Sequence, residues 1–182
     1  MRSLVPATGL LLLASLLTGC SGDDGDGDGA APAATYLLPA RTARPDEKAV
    51  RPVTAVDGDT SFTVIGITTG LPELAGSHAD VKAEKGQFVR IRLILVNNGR
   101  TTALVDVMKQ RLRTADGASH RPDLNAMLIK RQPQKFDAGA AVRVEFDIWY
   151  DIPTGARPTA MTLYGGSTLT DLKDVEGTSL LF

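Results

Sequence analysis

The sequence predicts an all-β fold, an antiparallel β-sandwich, and three observations support this class. Apolar and polar residues alternate with a period of two along two long segments, 88–96 and 142–150. Turn-forming Asp-Gly pairs, at 57–58 and 116–117, separate shorter apolar segments. No segment shows a helical stripe longer than two turns, so the crossover helices that parallel strands require are not expected.

The segment 88–96 has the pattern of a central strand. One face carries Val89, Ile91, Leu93 and Leu95. The other face carries Arg90 and Arg92 and then turns apolar at Ile94 and Val96. Because both faces are apolar at the end of the segment, we expect both to be covered there.

The segment 142–150 alternates more strictly and predicts a second long strand of the same core. The residues expected to face inward are Val142, Val144, Phe146, Ile148 and Tyr150. The residues expected to face water are Arg143, Glu145 and Asp147. Asp151 follows on the same outer face as Asp147, and we expect both carboxylates to be solvated.

Shorter strands are predicted in the intervals, with turn residues between them. They are Val53–Val56, Ser61–Ile67, Ala103–Val107, Gln110–Arg113, Met127–Lys130, Thr159–Tyr164 and Ser179–Phe182. Residues 50–182 are enough for one domain, since single domains commonly have about 100–150 residues. We therefore expect one β-sandwich domain from residue 50 to residue 182.

The N-terminal 20 residues have the composition of an export signal. Arg2 precedes a short apolar segment, Leu10–Leu17, and Thr18, Gly19 and Cys20 follow it. The apolar segment is shorter than the roughly 20 residues of a membrane-spanning helix, which predicts a signal peptide, residues 1–19. The pattern resembles the bacterial lipoprotein signal, which implies lipid modification of Cys20 and attachment to the bilayer. The diacylglyceryl group of such a lipoprotein has two acyl chains, which are sufficient to anchor the protein stably in a bilayer.

Residues 20–49 are predicted to be the lipidated cysteine followed by a disordered acidic tether. Residues 21–29 contain four aspartates and no apolar side chain. Asp24, Asp26 and Asp28 resemble the first half of a calcium-binding EF-hand loop, but its twelfth position, which requires a bidentate glutamate, is Thr35. No metal site is therefore predicted. Cys20 is the only cysteine, so the domain is expected to have neither a disulfide nor a thiolate zinc site.

Several short motifs resemble one bacterial family. Lys85-Gly86-Gln87-Phe88-Val89 leads into a strand that ends at Val96-Asn97-Asn98-Gly99. A Phe136-Asp137-Ala138-Gly139 turn and a strand through Asp151-Ile152-Pro153 follow. These residues resemble the DUF4352 group of bacterial lipoproteins, over Val53 to Phe182. The resemblance implies an immunoglobulin-like sandwich similar to that of a secreted mycobacterial antigen, with no known reaction. One departure is the segment from Phe146 to Ile152, which is longer than expected.

No catalytic site, cofactor site or metal site is predicted. The sequence has no Gly-x-Ser-x-Gly elbow, His-Glu-x-x-His zinc motif or phosphate-binding loop. His78 and His120 are both expected in loops. Two alternatives to a non-catalytic binding or accessory module stay open. One is a hydrolase with an unrecognised site. The other is an extracytoplasmic copper protein whose soft ligands would be His120, Met108, Met127 and Met161.

A basic segment, residues 109–135, is the candidate for contact with a partner. Its seven basic residues are opposed only by Asp116 and Asp123. Such a segment suits an acidic protein or an anionic surface polymer. Nucleic acid is not expected as a partner, since residues 85–89 lack the interleaved aromatics of an RNA-binding strand.

Together these patterns predict a lipoprotein anchored through Cys20 on the extracytoplasmic face of the cell membrane. We expect it to be a non-catalytic binding or accessory module, with the basic segment or the loops as its recognition surface.

Overall fold

The computed structural model describes residues 42–77, 79–166 and 176–182. Within them the first half of the chain forms β1 (Val53–Asp57), β2 (Thr60–Leu71), β3 (Glu73–Leu74), β4 (Val81–Lys82), β5 (Gly86–Asn97) and β6 (Ala103–Asp106). A 3-10 helix, Val107–Lys109, follows, and then β7 (Arg111–Thr114), β8 (Ser119–His120) and α1 (Leu124–Ile129). The last strands are β9 (Lys135–Ala138), β10 (Arg143–Pro153), β11 (Pro158–Leu163) and β12 (Thr178–Leu181). The predicted signal peptide, Cys20, most of the predicted tether and His78 lie outside the described residues.

Two four-stranded sheets form the sandwich. The first sheet has the order β1-β2-β5-β10, and the second has the order β12-β11-β7-β8. The strand pairs in both sheets are antiparallel. Two small ribbons, β3-β4 and β6-β9, flank them. Side chains of both sheets share one hydrophobic core, so the predicted all-β, immunoglobulin-like antiparallel sandwich is confirmed.

The two long strands pair with each other in the first sheet, where β5 is a central strand and β10 lies at the edge, and both contribute to the core as their alternation predicted. Ile148 lies opposite Ile91, and Tyr150 lies opposite Val89, with all four side chains buried. The inward face of β10 begins at Val144, which is half-buried, since Val142 precedes the strand and is exposed. These buried side chains make the inward face a continuous apolar layer. Burial in this layer raises the pKa of the Tyr150 phenol above its usual value.

The strand predicted at Met127–Lys130 is wrong, because Met127, Leu128 and Ile129 form the end of helix α1 and Lys130 is its C-cap. Asp123 caps this helix, and its Oδ1 accepts a hydrogen bond of 2.8 Å from the Ala126 amide. Ala126 and Met127 are buried against the core. A short apolar run such as Met-Leu-Ile does not by itself distinguish a strand from a buried helical turn.

Other differences concern short strands and strand ends. Residues 136–138, predicted as part of a turn, pair with β6 as strand β9. His120, predicted in a loop, is the last residue of β8 and lies opposite Leu112. Strand β10 continues in register to Pro153. Pairing with a distant partner decides whether such short segments are strands, and local patterns do not contain that information.

The outer face of β10 also differs from its prediction, because Asp147 and Asp151 are buried. The Arg44 Nη1 atom donates to Asp147 Oδ2 at 2.6 Å. Asp151 Oδ2 accepts hydrogen bonds from the backbone amides of Glu84 and Lys85 at 2.8 and 3.0 Å. Protein donors thus replace the water contacts of Asp151 and of one oxygen of Asp147, whereas Asp147 Oδ1 is buried without a hydrogen-bond partner among the residues that the structure describes.

The ordered domain begins before residue 50, where the tether was predicted to end. Residues 42–51, here called the strap, lie along the first sheet. The Lys48 amide donates to the Ile67 carbonyl at 2.8 Å, and the Ile67 amide donates back to Lys48 at 3.2 Å. The strap therefore extends the β2 side of the sheet with two backbone hydrogen bonds.

Candidate ligand-binding groove

The strap is held by a buried carboxylate. The Glu47 side chain is 1% exposed, and its Oε2 lies 2.6 Å from Arg92 Nη2. The Arg44 amide donates to the same oxygen at 3.1 Å. Gly66 lies directly below, and a Cβ at that position would overlap the Glu47 carboxylate. The absence of a side chain at residue 66 thus makes the space that Glu47 fills.

Further ion pairs surround Glu47 on the outer face of the first sheet. Arg90 Nη2 lies 3.1 Å from Asp46 Oδ1 and donates to Thr68 Oγ1 at 2.9 Å. Arg92 Nη1 donates to Glu145 Oε1 at 3.3 Å. Burial opposes the charge on Asp46, but the hydrogen bond from Arg90, a backbone hydrogen bond and the positive charges of Arg90 and Arg44 together outweigh it and lower the pKa of Asp46. Arg90 and Arg92, on the outer face of β5, are therefore paired with carboxylates of the strap, and Arg92 also with Glu145, instead of being solvated.

The ion pairs border a small cavity beside Trp149. The cavity has a volume of about 390 Å³, and its lining includes Arg44, Glu73, Lys130 and Trp149. The guanidinium of Arg90 and the ammonium of Lys130 lie 5.7 and 5.8 Å from the centre of the Trp149 ring, within cation-π range. Trp149 is only 4% exposed. Its ring is a packing element of the ion-pair cluster, and not a flat platform for a sugar.

A larger groove is lined by the second half of the strap and has a volume of about 780 Å³. We call it the apolar groove. It is lined by residues 48–51 of the strap, by Val53, Ile67, Thr69 and Gln87, by residues 155–159, and by Phe182. Val53 and Phe182 are both exposed large apolar side chains. Pockets of about 300–1,000 Å³ with mostly apolar walls are typical of ligand sites.

Gln87 positions the wall formed by residues 155–159. Its Nε2 donates to the carbonyls of Pro153 and Ala156 at 3.0 and 3.2 Å. Its Oε1 accepts from the Gly70 amide at 2.8 Å. The buried amide thus joins the β10-β11 turn to the end of β2. At the other end of this wall the Phe182 amide donates to the Thr159 carbonyl at 3.0 Å.

The rim of the apolar groove is cationic. Lys48, Arg51 and Arg157 line it, all three are exposed, and its lining contains no acidic residue. Among the described residues, none of these cations lies within 4.0 Å of a carboxylate. The groove therefore combines apolar walls with three positive charges that lack an internal counter-ion in this part of the chain.

The methionines considered as copper ligands lie in or against the hydrophobic core. Met161 and Met127 are fully buried, and Met108 packs against the core. The Met127 sulfur accepts a hydrogen bond from the Trp149 amide at 3.4 Å. Over the described ranges, no group of three His, Cys, Asp or Glu side chains is arranged to hold a metal ion. This geometry gives the methionines packing roles.

His120 belongs to a small polar cluster in the second sheet. Thr114 Oγ1 donates to Asp116 Oδ1 at 2.6 Å and lies 3.0 Å from His120 Nε2. A hydrolytic triad requires the imidazole between the hydroxyl and the carboxylate, whereas here the hydroxyl lies between them. Burial lowers the pKa of His120, and the charge of Asp116 opposes this only partly.

The predicted basic segment is partly engaged within the molecule. The Lys109 ammonium lies 4.5 Å from the centre of the Tyr164 ring. Lys130 Nζ donates to the Ala75 carbonyl at 2.7 Å, and Lys135 Nζ lies 3.3 Å from Asp106 Oδ2. Arg113 and Arg121 are exposed. Docking of an acidic partner to this segment stays a prediction.

Sequence reasoning did not find the apolar groove. Its cations, Lys48, Arg51 and Arg157, are separated by up to about a hundred positions in the chain, and only the fold brings them to one rim. The sequence places one of these cations, Arg51, just before the predicted strand Val53–Val56, but nothing in the sequence links it to the other two. Within the described residues, no helix has the length and apolar content needed to cross a bilayer.

The family described as "Domain of unknown function (DUF4352)" matches residues 53–172. No curated protein matches the chain.

The solved structures that resemble the chain include the following three. The yjhA protein of Bacillus subtilis has 17% sequence identity and a TM-score of 0.51, and the match covers 71% of this chain and 94% of that one. A conserved hypothetical protein from Bacillus anthracis has 12% identity and a TM-score of 0.49, and the match covers 64% of this chain and 87% of that one. The secreted protein MPT63 from Mycobacterium tuberculosis has 18% identity and a TM-score of 0.36, covering 70% and 88%. At these identities the likeness to the yjhA protein concerns the fold alone.

Proposed function

Because the chain belongs to the DUF4352 family, a family of domains of unknown function, we propose its role from its own geometry: a non-catalytic binding module that recognises its ligand in the apolar groove. The observation that carries this proposal is the groove itself, with apolar walls and three exposed cations at its rim. By contrast, the carboxylates beside Arg90 and Arg92 are engaged in ion pairs that fix the strap.

The proposal includes attachment to the extracytoplasmic face of the cell membrane through a lipid on Cys20. The pattern of residues 2–20 supports this step, because an apolar segment followed by Thr-Gly-Cys is typical of a lipoprotein signal.

Replacing the attachment atom tests the anchor. We expect Cys20→Ala to move the protein from the membrane fraction to the soluble fraction, or to stop its processing. Ser21→Ala, one position further along, is the matched control and should leave both unchanged. A Cys20→Ala protein of normal size that stays in the membrane fraction would disprove the lipid anchor.

Site-specific photo-crosslinking on intact cells tests the groove. A photoreactive residue at Thr69, which is exposed and lines the groove, is expected to capture the ligand. The same residue at Asp59, which is exposed in the β1-β2 turn, is the control. A third position, Arg121, reports on the basic segment. Capture from Arg121 but not from Thr69 would assign recognition to the basic segment instead of the groove.

A further inference from the structure

We propose that the apolar groove binds a single-chain amphiphile with an anionic head, of the long-chain fatty-acid class. This inference rests on the proposed binding role of the groove and specifies its ligand. The apolar walls would hold the chain, and the cationic rim would hold the carboxylate. Three features of the groove support this assignment.

The first feature is the apolar wall. Val50, Val53, Ile67, Ala156 and Phe182 line the groove. Val53 and Phe182 each keep 39% of their surface exposed, so the apolar surface is partly open to a ligand. Covering exposed apolar surface with a hydrocarbon chain removes it from water and stabilises the complex. An extended hydrocarbon chain fits such an open groove, and the volume of about 780 Å³ is sufficient for one.

The second feature is the sign of the rim. Lys48 and Arg51 approach the groove from the strap, and Arg157 approaches it from the β10-β11 turn. With no acidic residue in the lining, the charge favours an anion over a neutral or cationic head group. The guanidinium groups of Arg51 and Arg157 are suited to bidentate contact with a carboxylate.

The third feature is the rigidity of the walls. Glu47 fixes the strap one residue before Lys48, through its 2.6 Å contact with Arg92. Gln87 fixes the opposite turn through three hydrogen bonds. A groove whose walls are held before binding loses less entropy when a flexible chain enters. The strap and the β10-β11 turn therefore keep a fixed distance from each other on the two sides of the ligand.

Equilibrium binding of a fluorescent long-chain carboxylate tests the assignment. The protein is the full chain carrying Cys20→Ala, and the competing probe is the methyl ester of the same chain. We expect the carboxylate to bind roughly tenfold more tightly than the ester, because the ester lacks the charge that the rim recognises. Equal affinities for acid and ester would overturn the proposal.

Matched variants separate the groove from other basic surfaces. The double variant Arg51→Gln with Arg157→Gln should weaken carboxylate binding by roughly tenfold, at about two- to fivefold per cation. The control double variant, Arg113→Gln with Arg121→Gln, removes two exposed cations elsewhere and should not change the affinity. Ala49→Trp, at an exposed lining position, fills the groove and should abolish binding with an unchanged urea midpoint. Binding that survives Ala49→Trp would overturn the proposal.

A bilayer surface is the competing occupant, and vesicles distinguish it. We expect no difference in co-sedimentation between phosphatidylglycerol vesicles and phosphatidylcholine vesicles. Three results together would make the membrane surface the occupant instead of the amphiphile. The protein would sediment with phosphatidylglycerol vesicles alone, the Arg51 and Arg157 double variant would not, and the free carboxylate would not bind. Such a result would leave the Cys20 fractionation and the Thr69 crosslinking tests of the proposed function unaffected.

Discussion

Glu47 shows how much one residue contributes to the outer face of the first sheet. Its carboxylate is almost fully buried and contacts Arg92, which also pairs with Glu145. The two carboxylates differ in exposure, since the Glu145 side chain is 37% exposed. A buried partner of a buried cation matters far more than a solvated one, because its loss leaves a charge without compensation.

The first prediction compares these two carboxylates. Glu47→Gln keeps the shape of the side chain but removes the charge, and should lower the free energy of unfolding by about 3 kcal/mol. Glu145→Gln removes the exposed partner of the same arginine and should change it by less than about 1 kcal/mol. Urea unfolding measures both. Equal losses would mean that solvent screens the Glu47 pair as well.

His120 supports a prediction about pH. Burial lowers its pKa in the folded state, while Asp116 raises it and Lys85 lowers it further. The unfolded chain therefore binds a proton at higher pH than the folded chain does, and stability falls as the pH falls through about 6.5. The loss of urea midpoint between about pH 7.5 and pH 5.5 should be smaller in His120→Gln than in the unchanged protein. An equal or larger loss in the variant would contradict the assignment.

The residue scale also shows what the sequence predicts about the ion-pair cluster. Alternation placed Arg90 and Arg92 on the face opposite Ile91, which the structure confirms. It did not predict their burial, because Asp46 and Glu47 come from a segment more than 40 positions earlier. A charge in a period-two pattern looks solvated until its distant partner is known.

At the scale of secondary-structure elements, length decided which predictions succeeded. Strands β5 and β10 contain 12 and 11 residues, and each carries enough alternation to identify its face and register. Helix α1 has only six residues, and β8 has two. Such short elements form because of capping and packing, and α1 depends on the Asp123 cap and on burial of Met127.

The cap of α1 gives the prediction at this scale. Asp123→Ala should lower the free energy of unfolding by about 1 kcal/mol, since it removes the acceptor of the Ala126 amide. Asn125→Ala, at an exposed position of the same helix, should change it by no more than about 0.5 kcal/mol. Chemical denaturation of the two variants measures the difference. A loss in Asn125→Ala as large as that in Asp123→Ala would show that the cap does not stabilise the helix.

For the whole molecule, the sandwich followed from local patterns, whereas the candidate site did not. The turns and alternating strands are signals within ten or so residues, and they were sufficient for the fold class. The apolar groove instead joins the strap, the β10-β11 turn and Phe182. Its position depends on the strap, which the composition of residues 20–49 assigned to a disordered tether.

The strap therefore provides a prediction about the extent of the folded domain. A chain that begins at residue 42 should have the same urea midpoint as one that begins at residue 21. A chain that begins at residue 50 loses the ion pairs of Arg44, Asp46 and Glu47 and the two backbone bonds of Lys48. Each such bond contributes about 1 kcal/mol, and the entropy of ordering the strap offsets part of the total. We expect a net loss of about 2 kcal/mol, less than for Glu47→Gln, because water reaches Arg90 and Arg92 once the strap is absent. Identical midpoints for the chains beginning at 42 and 50 would show that the strap is dispensable and that the domain begins at residue 50.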